Sequence, residues 1–268
     1  MSSTEPTSDE DVYLVDTTST ARTPGVRDLV MTDRWNTPIE RPNGGYVLAA
    51  MLRGTGDELG VPHDPLYAAI SYLGPPSVGP ATIEVEPVKQ GRRVVTASTR
   101  LLQDGRLVAV MTSGFGPRED ERTTELGSPP ALPAPDQCLD PSDHGGPTGG
   151  LFDRVDHRFA TVPGWSTGAP SGDPAHDLWQ RLAGGRTIDA YALGFLVDSA
   201  PPPVMELGEM ASMTVQLTVH FHRRPTPGWI ATRLSTRHLV TGFHEEDCEL
   251  WDESGRLVAQ SRQLAILG

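Results

Sequence analysis

Two stretches of the chain are apolar nearly all round, and each is followed by stretches that read as strands. The first is NGGYVLAAMLRG (43–54), followed by LYAAISYLG (66–74), ATIEVEPV (81–88), RVVTASTRLLQ (93–103) and GRLVAVMTSGFG (105–116). The second is IDAYALGFLVDS (188–199), followed by SMTVQLTVHFHR (212–223), WIATRLSTRH (229–238), GFHEEDCELWD (242–252) and GRLVAQSRQLAIL (255–267). A segment without a polar face predicts a buried helix rather than a surface one. The β-branched and alternating runs predict strands. Thr187 or Asp189 can cap the second helix, and SAPPPV stops it, because proline cannot continue a helix and restrains the residue before it.

The five letters GRLVA occur at 105–109 and again at 255–259, each time after an acidic turn. The two helices align at an offset of 145 and the strands at offsets of 148 to 150. One order of elements at a near-constant offset is the mark of a duplication. Each half reads as one helix followed by four strands. A single buried helix wrapped by an antiparallel sheet is the hotdog arrangement. The predicted fold is therefore α+β, a double hotdog with the two sheets joined edge to edge. The stretch 116–150 is rich in Pro, Gly and acid and lacks apolar period, so it reads as a linker. The expected division is a disordered tail (1–10), an N-terminal hotdog (11–116), a linker (117–150) and a C-terminal hotdog (151–268).

Composition narrows the functions. The chain has 268 residues and a formal charge of −13, which argues against a nucleic-acid partner. Two distant cysteines, Cys138 and Cys248, give no disulfide framework and fit a reducing, cytoplasmic setting. The polar, acidic start does not resemble a signal peptide, and no 18-residue apolar run predicts a membrane span. The eight histidines form no HExxH and no spaced ligand set, so no metal or redox cofactor is expected. HEEDC (244–248) reads as a solvated strand face. GxSxG is absent, and Cys138 lies in the linker, so no covalent nucleophile is evident.

RWNTPIERPNGGYVLAAMLR, GRLVAVMTSGF, VQLTVHFHRRP and GFHEEDCELWDESGRLVAQSRQLA resemble the acyl-CoA thioesterases of the type-II, double-hotdog kind, closest to the branch known as thioesterase family proteins. The resemblance spans nearly the whole chain apart from the tail, the linker and residues 160–185. It implies a hydrolase for acyl-CoA or acyl-carrier thioesters. It also implies a catalytic Asp in the second hotdog helix, a Thr at the start of the next strand and a Gln in the last strand. By position these are Asp198, Thr214 and Gln263.

The same residues carry signals of their own. Asp198 sits at the C-terminal end of an apolar helix, where carbonyl dipoles oppose a carboxylate and burial would raise its pKa. Gln263 is a lone amide on the face shared by Leu257, Ala259, Ala265 and Leu267, with Ser261 its only polar companion. Strict alternation places Thr214 on the polar face of its strand, with Thr218 a rival; a bulge at the strand start would turn it inward. Asp198 aligns with Arg53, Gln263 with Ser113 and Thr214 with Pro65 or Leu66, so the first half lacks the trio and one site is expected, not two.

The expected chemistry is attack by a water that Asp198 activates and that Thr214 and Gln263 hold. Asn43, Gly44 and Gly45 open the first helix and are candidates for the oxyanion and close substrate approach, with Asn43 as a plain helix cap the alternative. Arg223, Arg224 and Arg93 are candidates for the phosphates of coenzyme A, or solvated strand ends. Trp35, Tyr46 and Phe195 line an acyl tunnel or belong to the core. Two rivals remain: a hotdog dehydratase or cyclase on carrier-bound acyl chains, disfavoured because neither helix carries a His, and a non-catalytic acyl-binding protein. Exposed sheet edges predict a homo-oligomer, a dimer or higher.

Overall fold

The computed structural model describes residues 11–118 and 123–268; the tail expected at 1–10 lies outside the described residues. The first half contains helix α1 (Val12–Thr17), strands β1 (Thr20–Thr23) and β2 (Val26–Met31), helix α2 (Gly44–Leu59), and strands β3 (Pro65–Tyr72), β4 (Gly79–Gln90), β5 (Val95–Gln103) and β6 (Arg106–Phe115). The second contains β7 (Val155–Phe159), β8 (Ala175–Leu182), helix α3 (Ala190–Leu196), and strands β9 (Ser212–Phe221), β10 (Ile230–Ser235), β11 (Leu239–Val240), β12 (Phe243–Asp252) and β13 (Leu257–Leu267).

Twelve strands follow the order β1-β2-β4-β5-β6-β3-β9-β13-β12-β10-β8-β7, with β11 paired to β12 outside this path. Read from its two ends inward, the path repeats itself, and the halves meet where β3 pairs antiparallel with β9. The repeat extends to single hydrogen bonds. Past the end of β3, Leu73 and Gly74 both donate to the carbonyl of Val108. Past the end of β9, His222 and Arg223 both donate to that of Val258, 150 residues on. The doubled GRLVA marks equivalent hairpins: Gly105 and Gly255 both sit at positive φ (73° and 77°), which glycine adopts without steric cost.

The expectation of one helix followed by four strands needs correction. Each half places two further strands ahead of its helix. β1 is four exposed residues with no apolar face to reveal it. β8 alternates inward, but two of its four inward residues are His176 and Gln180, which hides the apolar period.

The core lies between the sheet and α2 and α3, which pack on each other. Asn43 caps α2 through the amide of Tyr46, and Asp189 caps α3 through that of Ala192. Leu48, Leu52, Leu193 and Phe195 are fully enclosed. Trp35, Tyr46, Phe195 and Tyr13 form one aromatic cluster, with Trp35 centred 5.2 Å from Phe195 and 5.8 Å from Tyr46. Asp16 sits inside it, accepting from Trp35 Nε1 at 2.7 Å and from Arg34. These aromatics are core; of the two roles expected for them, packing is the one observed.

Residues 123–150 run irregularly and pack on the second half, where Leu139 pairs with Phe159 and Trp179 donates to the carbonyl of Pro133. Both cysteines are free. No described helix is long and apolar enough to cross a membrane.

Candidate active site

α3 ends early. Its C-cap is Val197, so Asp198 lies just beyond the helix, its N–H bonded to the carbonyl of Phe195. That position would set the carboxylate against the negative end of α3. The fold answers with the opposite end of α2. The N–H of Gly45 donates to Asp198 Oδ2 at 2.7 Å, and Asn43 Nδ2 donates to the same oxygen at 3.1 Å and to the Asp198 carbonyl at 2.8 Å. Burial nevertheless outweighs these two donors and raises the carboxyl to about 6. Oδ1 has no protein partner among the described residues, and Asp198 is only partly enclosed.

The glycines permit this meeting of helix ends. A Cβ on Gly45 would lie 2.6 Å from the carbonyl oxygen of Phe195 and 2.9 Å from Asp198 Cβ. One on Gly44 would lie 2.9 Å from Asp198 Oδ2 and 3.1 Å from the hydroxyl of Tyr72. The close approach here is that of α3 to α2. Asn43 caps α2, the alternative role expected of it, and its amide donates to Asp198 rather than standing open to an oxyanion. Gly44 keeps a backbone N–H with no partner among the described residues, while its carbonyl accepts from Tyr72 at 2.6 Å.

Thr214 faces inward because β9 is bulged. Gln263 pairs with Leu217 and Leu264 with Gln216, but Ala265 pairs with Thr214, so Val215 is the extra residue. β3 carries the matching bulge at Leu66, between the Pro65–Phe115 and Tyr67–Gly114 pairs. The reset register brings the Thr214 hydroxyl onto Gln263 Oε1 at 2.6 Å. Thr218, the rival, points the other way and takes a hydrogen bond from Gln216.

Gln263 is 6% exposed, and its Nε2 donates at 2.8 Å to Glu246. Glu246 is 4% exposed, and its second oxygen has no partner among the described residues. Burial, reinforced by the charge of Asp198, raises its carboxyl to about 8. Asp198 thus lies near enough for its charge to act on Glu246, the last member of the hydrogen-bonded Thr214–Gln263–Glu246 chain. HEEDC therefore is not one solvated face. Glu245 and Asp247 face outward, whereas His244, Glu246 and Cys248 point into the interior. Among the described residues no group of three His, Cys, Asp or Glu is placed to hold a metal ion.

A buried polar network fixes the end of α3. Gln180 Nε2 donates to the carbonyl of Leu196 at 3.0 Å and to Thr232 at 2.8 Å, while the Ser199 hydroxyl donates to Gln180 Oε1 at 2.8 Å. Gln180 and Glu246 both escaped the reading of the sequence. Each is a polar residue on an inward face that it shares with a histidine, His176 on β8 and His244 on β12.

The basic residues gather elsewhere. Arg223 and Arg224 line a cleft of about 390 Å³ with Arg118 and His222. Arg224 is paired twice with Asp64, and Arg223 with Glu125. The cleft opens past Phe221, roughly 23 Å along β9 from Thr214 at ~3.3 Å per residue. Arg93 lines a separate cleft with Lys89 and Arg92. These three arginines are not brought to Asp198.

A duplicated hotdog whose helix ends enclose a carboxylate matches known proteins across both halves. Residues 31–116 match the acyl-CoA thioesterase N-terminal domain and residues 135–267 the acyl-CoA thioesterase C-terminal domain. The chain belongs to this acyl-CoA thioesterase family of hotdog proteins. It is 25% identical over 290 residues to the thioesterase-like protein TwmA of Talaromyces wortmannii, covering 84% of this chain and 83% of that one. A solved structure from Thermobifida fusca YX, provisionally described as a thioesterase II, superposes with a TM-score of 0.85 at 28% identity, covering 96% and 97% of the two chains. A hotdog protein of unknown function from Alicyclobacillus acidocaldarius superposes with a TM-score of 0.87 at 21% identity, covering 97% and 98%, and so shares the fold.

Proposed function

We propose that this chain hydrolyses acyl-CoA thioesters to free acid and coenzyme A with a water activated at Asp198, Thr214 and Gln263. One observation carries the reading: Asp198 is a desolvated carboxylate with one oxygen held and the other open, and its charge reaches Glu246 at the end of an ordered Thr214–Gln263–Glu246 chain. At neutral pH, above its pKa of about 6, Asp198 is the ionised base. The Thr214 proton is committed to Gln263, so the Thr214 oxygen accepts. A water giving one hydrogen to Asp198 and the other to Thr214 presents its lone pair to the thioester carbon. Gln263 retains a second N–H for that water or the carbonyl oxygen. As the tetrahedral intermediate forms, the water's proton passes to Asp198 and negative charge collects on the carbonyl oxygen. The free N–H of Gly44, at the positive end of α2, is a donor for it. Collapse expels the thiolate of coenzyme A, which takes up the proton.

The dehydratase reading lacks a base of the right kind, since neither α2 nor α3 contains a His. Arg223, Arg224 and Arg93 take no part in the bond-breaking step and stay candidates for the distant phosphates of coenzyme A. Incubation with acyl-CoAs of graded chain length, with free thiol followed by a 5,5′-dithiobis reagent, tests the reading. Thiol release with at least one of them supports it. Water elimination from 3-hydroxyacyl substrates without thiol release would replace it with the dehydratase; binding without either would leave an acyl-binding protein. Self-association through the open edge at β1, all of whose residues are exposed, belongs to the same reading and is tested by light scattering in solution.

A further inference from the structure

Glu246 has no place in the trio, yet it is the most enclosed carboxyl beside it. Among the described residues its surroundings hold no cation. On β13 it pairs with Gln263; on the inward face of its own strand its neighbours are His244 and Cys248, with Asp247 turned outward; the charge of Asp198, from the end of α3, acts on it. Thr236 follows opposite it, one residue beyond the Ser235–Asp247 pair, and the Thr236 hydroxyl is also buried without a partner. Among the described residues, the charges acting on Glu246 are those of the carboxylates Asp198 and Asp247. A second buried anion in such a place is costly, whereas a neutral acid is not.

We propose that Glu246 is a positioning residue that works as the neutral acid: its Oε1 fixes the Gln263 amide with nitrogen toward Glu246 and oxygen toward Thr214, while its protonated Oε2 supplies a donor to the site. This inference rests on the thioesterase reading for its consequence in catalysis. With Gln263 locked, the Thr214 proton has one acceptor and the Thr214 oxygen is left for water. The two carboxyls then divide the labour, Asp198 ionised and Glu246 protonated, over one pH interval. Ionising Glu246 would set a second negative charge beside a reaction that develops an oxyanion.

The test compares the full-length protein with Glu246→Gln and Glu246→Leu by pH-dependent kinetics and by carbon-13 NMR titration of the side-chain carboxyls. Glu246→Gln keeps an acceptor and a donor in the two oxygen positions. It is expected to retain kcat within about 3-fold at pH 7 and to lack the alkaline fall near pH 8 that the proposal predicts for the wild type. Glu246→Leu frees Gln263 to turn and is expected to lower kcat about 10²-fold with KM little changed. A Gln variant as slow as the Leu variant, or one that keeps the alkaline limb, overturns the proposal. So does a carboxyl resonance, absent from Glu246→Gln, that titrates below pH 6. If the wild type releases no thiol from any acyl-CoA, the thioesterase reading fails, and the titration still decides the protonation of Glu246.

Discussion

Arg53 donates to Asp189 at 2.7 Å at one end of the helix pair, and this contact is the counterpart of Asp198 on Asn43 at the other end. Asp189 caps α3 as Asn43 caps α2, and each is met by a residue within the opposite helix or just beyond it. The duplication thus kept a geometry and reversed its charges. In the first half a buried cation, stacked 4.5 Å over Tyr191, occupies the place of the carboxylate. Pro65 stands where Thr214 does, and Ser113, buried without a partner, stands where Gln263 does.

Arg53 is therefore structural. Arg53→Met is expected to cost about 1–3 kcal/mol of stability by removing buried charge-assisted bonds to Asp189 and Thr17. Turnover per folded molecule should stay within about 3-fold of wild type. Denaturant midpoints and kcat, measured on one preparation, check both parts.

The glycines at the start of α2 separate packing from chemistry. Gly45→Ala drives a Cβ into the backbone of Phe195, so it should cost about 1–3 kcal/mol as well as activity. Gly44→Ala presses on the Asp198 carboxylate and Tyr72 hydroxyl, which are side-chain atoms able to move. It should fold with less loss of stability and still lose turnover. Thermal melting beside kcat distinguishes the pair.

Stability should fall with rising pH because of Glu246. Its folded pKa of about 8 lies above the ordinary 4.5, so the folded state holds a proton that the unfolded chain has already released. The stabilisation is complete below about 4.5 and is lost as pH rises through 8, at up to about 1.4 kcal/mol per pH unit. Asp198 acts in the same direction below about 6, whereas His157, lowered to about 4, and His176, His222 and His244, all lowered by burial, act in the opposite direction around and below 6.5. The difference between wild type and Glu246→Gln, in which the histidine contributions cancel, isolates Glu246. Urea titrations from about pH 6.5 to 8 should show the wild type losing stability relative to Glu246→Gln as pH rises.

Gln180→Leu removes the amide that ties the end of α3 to β8 and β10. It should cost about 1–3 kcal/mol, because the Leu196 carbonyl, Ser199 and Thr232 each lose a buried partner. It should also lower kcat more than it raises KM, since Asp198 is two residues past Leu196.

Much of the fold was legible in the sequence because the duplication writes its period twice. The two helices, eight of the strands and the doubled hairpin follow from apolar runs and the repeated GRLVA. What escaped was hidden by polar residues on inward faces. β8 carries His176 and Gln180 among its core positions, and HEEDC looks solvated because its outward acids mask Glu246. Thr214 shows a different limit. Strict alternation puts it on the wrong face, and only the bulge at Val215 turns it toward Gln263. A bulge is set by pairing with β13 and leaves no mark on β9 alone. The cradle of Asn43 and Gly45 around Asp198 joins residues more than 150 apart in the chain, a contact that only the packing of α2 on α3 creates.

The most direct measurement is the steady-state rate of thiol release by Asp198→Asn, set beside wild type and Ser113→Ala on the best acyl-CoA. The account predicts a loss of about 10²–10⁴-fold in kcat for Asp198→Asn with substrate binding retained, and no loss for Ser113→Ala. Full turnover in Asp198→Asn, or an equal loss in Ser113→Ala, would contradict it.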